Sequence, residues 1–138
     1  MGLFHDRYKI QRLQSRKRRM PKQTDRLEHL RARLAEFAAE RDWDQFHNPK
    51  NLAMAVAGEV GELVQHFRWL TFEQAENLPA AIRGEVALEA ADVLLFLLRL
   101  CDKLDIDLAA AAERKLALNA RKYPVEKSRG HATKYDEL

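Results

Sequence analysis

The sequence predicts an all-α fold, and three observations predict it. Gly and Pro are scarce, at 5 and 4 of 138 residues, while Ala, Leu, Glu, Arg and Lys, the residues that favour helices, dominate. Apolar side chains recur at three- and four-residue steps through four long segments. Capping residues stand just ahead of several of those segments. With 46% hydrophobic and 33% charged positions, a chain of this length supports one compact domain around one core.

The first helix is expected over residues 25–42, where Leu27, Leu30, Leu34 and Phe37 form one buried stripe among charged residues. Trp43, Phe46 and His47 follow in a connection that ends at Asn48-Pro49, an N-cap and a first-turn proline. The second helix then runs from near Lys50 to about Leu70, with Leu52, Val56, Val60, Leu63, Val64 and Phe67 on one broad face. Thr71 and Gln74 fit a capping box opening a short helical turn, which Pro79 interrupts. The third helix spans 80–103 and is apolar on every side at 93–98, which implies burial from several directions. Asp107 caps a fourth helix over 108–122, and Pro124 ends it.

These elements predict a four-helix-bundle-like domain over residues 25–124, with a basic arm at 1–24 and an extended or partly ordered tail at 125–138. The surplus apolar surface of the third helix needs either the bundle centre or a partner subunit, so an oligomer is expected.

The net charge of +3 is unevenly spread: residues 1–24 hold eight Lys or Arg and one Asp, leaving −4 for the remainder. The run Arg16, Lys17, Arg18, Arg19 has the charge to attract nucleic acid. Without interleaved aromatics it reads as a solvated tail, and no nucleic-acid partner is expected. Met20, followed by Pro21, offers an alternative start that would make the arm an upstream extension. The single cysteine, Cys101, cannot form an intramolecular disulfide and reads as a buried apolar residue. The run 93–98 is far short of the roughly 20 residues that span a bilayer. The N-terminus lacks the apolar core of a secretory signal, so no membrane partner and a cytoplasmic location are expected.

Chemistry concentrates in the acids. The second helix carries Glu59 and Glu62, three residues apart, and the third carries Glu85, Glu89 and Asp92 at steps of four and three. Such spacings place like charges on one side of each helix, where they repel. A hard divalent cation, Mg²⁺ above all, would offset that repulsion with oxygen ligands shared with substrate phosphates. Gly58 and Gly61 cost the helix about 1 kcal/mol each relative to Ala, which is intelligible if bulk there would block a neighbouring helix or a ligand. Asp92 immediately precedes six apolar residues, where an unpaired carboxylate is expensive. The bland alternative is a solvated acidic face paired with Arg68, Arg83 or Lys103, and for Glu85 the two readings are balanced.

Glu59-x-x-Glu62 followed by Glu89-x-x-Asp92 resembles the metal-binding signature of the all-α, MazG-like nucleoside triphosphate pyrophosphohydrolases. The segments EFAAERDW, QFHNPKNL, GEVGEL, RKYPVEKSRG and KYDEL, with the tryptophan at 69, are similar to the dCTP pyrophosphatase branch over residues 34–138. The resemblance implies that Glu59, Glu62, Glu89 and Asp92 hold Mg²⁺ while water attacks the α-phosphorus of a nucleoside triphosphate, giving dCMP and pyrophosphate from dCTP as house-cleaning of the nucleotide pool. One of the glutamates could also act as general base. Lys115, Asn119 and Lys122 share one face of the fourth helix, and the resemblance assigns Lys115 and Asn119 to the nucleotide. It also implies Trp43 and Trp69 around the base and a homotetramer with sites between chains. Tyr123 either contacts the nucleotide or packs at the helix end, and His47 either supports the site or reaches base or phosphate.

Leu34 stands where close relatives carry a histidine near the base, Phe96 replaces a tyrosine, and Gly58 stands where distant relatives have a glutamate. These changes bear on base selectivity, since lost hydrogen-bond partners alter discrimination. The competing expectations are dUTP or another non-standard triphosphate as substrate, and a non-catalytic helical adaptor or nucleic-acid-binding protein that uses the arm.

Overall fold

A computed structural model describes residues 23–137. The expected basic arm lies outside them, apart from Gln23 and Thr24, which open the first helix two residues earlier than the periodicity indicated. Four long helices form the frame: α1 (Gln23–Glu40), α2 (Pro49–Gln65), α4 (Ala80–Lys103) and α5 (Leu108–Lys122). The short helices α3 (Phe72–Glu76) and α6 (Val125–Ser128) and two 3₁₀ turns, Trp43–Gln45 and Tyr135–Glu137, complete the described residues, which contain no strand.

Local chemistry accounts for the boundaries. The Asn48 side chain accepts the Asn51 N–H at 2.9 Å and Pro49 occupies the first turn of α2. Thr71 and Gln74 form both halves of the capping box on α3. Asp107 accepts the Ala110 N–H at 2.9 Å and starts α5. The end of α4 is closed by bonds from the Ile106 N–H to the Cys101 carbonyl, at 2.9 Å, and from the Asp105 N–H to the Asp102 carbonyl. Asp105 takes the left-handed conformation, φ 53°, that a glycine usually supplies in this motif.

The first helix also ends two residues before the expected 42, and two further regions differ from expectation. Helix α2 stops at Gln65 rather than near Leu70, because residues 66–70 tighten into turns in which the Phe67 and Leu70 N–H groups bond three residues back. The tail is not extended throughout. It turns through α6 after Pro124 and returns Tyr135 to the end of α5, where its ring meets Tyr123 edge-on at 6.0 Å and the Lys122 ammonium lies 4.5 Å over it.

Helices α2 and α4 form the main packed pair, α1 packs across α4, and α5 makes no extensive contact with another helix. The pair is antiparallel, since Glu59 meets Glu89 and Asp92 whereas His66, further along α2, approaches Glu85, earlier on α4. Within one chain the buried apolar core is small: Ala38, Leu52, Leu98 and Cys101. The run 93–97 is only half-buried, so the many-sided burial expected there is not reached in the single chain. Met54, Val64, Leu88 and Leu116 stand exposed. A chain of this size normally hides more of its apolar surface. Among the described residues no helix is long and apolar enough to cross a membrane.

Candidate metal and nucleotide site

The antiparallel pairing of α2 and α4 brings carboxylate oxygens of Glu59, Glu89 and Asp92 within 4.8 Å of one another. Glu59 and Glu89 are half-buried and Asp92 is exposed. Glu62 is exposed and is not part of this triad, yet its charge acts on Glu59. Burial pushes the Glu59 carboxyl above the usual carboxylate range, and the charges of Glu62, Asp92 and Glu89 push it further. Among the described residues none of these four acids forms an ion pair. Of the cations named as alternative partners, Lys103 pairs with Asp44 instead, and Glu85 faces His66 at 3.9 Å.

The glycine expectation is corrected in part. A Cβ at Gly58 or Gly61 would meet nothing within 4 Å, so neither glycine serves close packing between helices of one chain. Space for a ligand or a second chain is what remains of that argument. Asp92 likewise escapes the apolar surroundings anticipated for it, because the α4 side that carries it is open to solvent.

The aromatic residues divide. Trp69 is 82% exposed, with the Arg68 guanidinium 4.7 Å over its ring. Trp43 is partly exposed and meets Phe37 edge-on at 5.7 Å and His47 at 6.2 Å. On α5, Lys115 and Lys122 are exposed and Asn119 is half-buried. The helix is not packed against α2 or α4, so the chain alone does not join them to the acids. Tyr123 is engaged by Tyr135, which favours the packing reading for it. A cavity of about 620 Å³, lined by Leu27, Arg31, Leu98, Asp102, Ile106 and Leu108 among others, holds none of the residues expected at the site.

One buried charge was missed from the sequence. Arg99 is only 4% exposed. It donates to Asp102 at 2.8 Å, to Asp44, and through Nε to His47 Nδ1 at 3.2 Å. Asp102 also accepts from Arg31 of α1 at 2.7 Å, and Lys103 donates to Asp44. The signal was present: an arginine inside FLLRLC must find anions or leave a buried charge uncompensated.

This network has a pH signature. Burial holds His47 below the ordinary histidine value of 6.5, and the Arg99 charge adds to the effect. A base lowered in the folded state contributes stability that is complete above its unfolded value and is lost as the pH falls below it. The hydrogen bond from Lys103 holds Asp44 below the ordinary 3.8, with the Arg99 charge adding to it, so its contribution is lost only at still lower pH. Melting temperature should therefore fall as the pH drops below 6.5, and His47→Asn should flatten that part of the curve. Superimposable pH profiles for the two chains would contradict the assignment.

Comparison with known proteins gives matches of three kinds. Residues 55–138 match the MazG-like family model. The chain is 46% identical over 114 residues to dCTP pyrophosphatase 1 of Bos taurus, covering 81% of this chain and 68% of that protein. It is 44% identical to dCTP pyrophosphatase 1 of Homo sapiens, with 81% and 67% covered. Among solved structures it resembles a pyrophosphatase from Archaeoglobus fulgidus, with TM-score 0.68, 41% identity, and 72% of this chain and 93% of that one covered.

Proposed function

The chain belongs to the MazG-like family, and from that premise we propose that it is an enzyme that hydrolyses dCTP to dCMP and pyrophosphate, removing the triphosphate from the nucleotide pool. The observation that carries the reading is the convergence of Glu59, Glu89 and Asp92 within 4.8 Å on two packed helices, where no ion pair among the described residues neutralises them. The dCTP pyrophosphatase 1 relatives support the choice of base.

The donor set fits Mg²⁺. It is all carboxylate oxygen, and two ligands on opposite sides of one such ion, each at about 2.0–2.1 Å, stand about 4.2 Å apart. Carboxylate oxygens within 4.8 Å of one another are compatible with that spacing, and Glu62, one turn from Glu59, would add a fourth carboxylate. When bound, Mg²⁺ neutralises triphosphate charge and makes the attacking water more acidic. The chain's own residues then hold and orient the nucleotide. Asp92, Phe96 and Arg99 follow one stripe of α4 at steps of four and three, and Arg99 contacts the connection that bears Trp43 and His47. The seven steps from Asp92 to Arg99 rise about 10 Å, comparable with the reach from α-phosphate to base. We therefore assign the phosphates to the acids and the base to Trp43 and Trp69, with His47 beside them.

Lys115, Asn119 and Lys122 complete the reading through a second subunit. Helix α5 stands apart from the acids of its own chain, so these groups serve the site of a neighbour in a homotetramer. The exposed apolar residues of α2 and α4 support such an assembly. A cytoplasmic location accords with the lone buried thiol and the lack of a membrane-spanning helix among the described residues.

Pyrophosphate release with Mg²⁺ across dCTP, 5-methyl-dCTP, dUTP, dTTP, dATP and dGTP tests the activity. The expected result is the highest kcat/KM for dCTP and its 5-substituted form, from a particle whose light-scattering mass is four times the 16.0 kDa chain. If dCTP is the poorest substrate the base assignment fails, and full activity in a monomer contradicts the shared site.

A further inference from the structure

We propose that Arg99 is a positioning residue for the nucleotide base: from α4 it holds Asp44 and His47, fixing the connection that bears Trp43 and fixing His47 as the tautomer protonated on Nε2. The inference rests on the reading above that this connection forms the base side of the site.

The geometry is specific. Arg99 Nε–H points to His47 Nδ1 at 3.2 Å. That nitrogen must therefore be the acceptor, which leaves the ring proton on Nε2 and makes that nitrogen a donor. The two guanidinium nitrogens go to Asp44 and Asp102. Asp44 lies in the 3₁₀ turn with Trp43, and Trp43 meets the His47 ring edge-on at 6.2 Å. One buried cation thus sets the turn, the imidazole and the indole together. A second tie, from Asp102 to Arg31, ties α1 to the same centre. Arg99 touches neither base nor phosphate on this account and acts through its partners. An arginine is needed because its planar fork serves three acceptors in fixed directions, whereas a lysine ammonium offers a point charge.

Arg99→Lys in the full-length chain tests this. The substitution keeps a cation for Asp44 and Asp102 but removes the directed bond to His47. Nitrogen-15 NMR of the histidine side chains at neutral pH should show His47 with Nε2 protonated in the parent and a tautomer mixture in the variant. For dCTP, KM should rise about tenfold while kcat changes less than about twofold, because the bound nucleotide is misplaced at the base and not at the phosphates. A merely structural role would lower melting temperature without moving the tautomer or splitting KM from kcat.

If the lysine variant does not fold, His47→Asn serves instead, since its amide oxygen still accepts from Arg99 but its Nε2 donor is gone. The same rise in KM is expected of it. A parent His47 protonated on Nδ1, or a folded variant with unchanged KM, overturns the proposal. The dCTP reading fails separately: a chain that prefers another triphosphate loses that reading, and the KM split is then measured with the preferred one. A parent chain that hydrolyses no triphosphate overturns both.

Discussion

Glu59→Gln should lower kcat for pyrophosphate release by about a thousandfold or more, the equivalent of about 4 kcal/mol of transition-state stabilisation. The fold should survive, because Glu59 is half-exposed and makes no ion pair among the described residues. In metal-free protein at neutral pH the variant should be at least as heat-stable as the parent. The sign follows from the environment of the carboxyl. Burial, then Glu62, Asp92 and Glu89, hold its proton affinity above the ordinary value. A carboxyl so raised favours the folded state at low pH, and that benefit is lost as the pH rises through its folded value. A neutral glutamine removes the repulsion. Mg²⁺ should then raise the melting temperature of the parent and leave the variant nearly unmoved. A variant that loses activity because it unfolds, or that keeps its response to Mg²⁺, speaks against the role assigned to the cluster.

The second large effect is expected at Trp69. Its indole is 82% exposed and touches little of its own chain beyond Arg68, so burial within the chain does not explain it. If it stacks on the base, Trp69→Ala should raise KM for dCTP by about 10- to 100-fold, in line with about 1–3 kcal/mol per stacked base. The loss should be smaller for inhibition by pyrophosphate, which has no base. Steady-state kinetics with both compounds, alongside light scattering to confirm an unchanged assembly, separate stacking from subunit packing. An equal loss for dCTP and pyrophosphate would place Trp69 outside the base site.

Much of this arrangement was legible in the residues themselves. The caps at Asn48, Thr71 and Asp107 are local chemistry, so α2, α3 and α5 begin where the sequence placed them. The paired acids were legible because the helical repeat sets which residues share a face. Their meeting across two helices was only an expectation, since it depends on the register of an antiparallel pair. That register brings Glu59 to Glu89 and Asp92 but leaves Glu62 outside the triad. The turns at 66–70 and the returning tail were not legible. Their shape comes from bonds to the preceding helix end and from the meeting of Tyr123 with Tyr135, neither of which leaves a periodic trace. Arg99 was overlooked because a single cation in an apolar run disturbs no helical pattern. Its three partners lie on one helix and in a distant connection.

The reading stands or falls with the metal. Crystals of the parent chain grown with Mn²⁺ in place of Mg²⁺ and a non-hydrolysable dCTP analogue would locate the ion by its anomalous signal. The account predicts a peak within bonding distance of carboxylate oxygens from Glu59, Glu89 and Asp92. A chain that binds the analogue with the three carboxylates ligand-free, or that seats Mn²⁺ elsewhere, would contradict it.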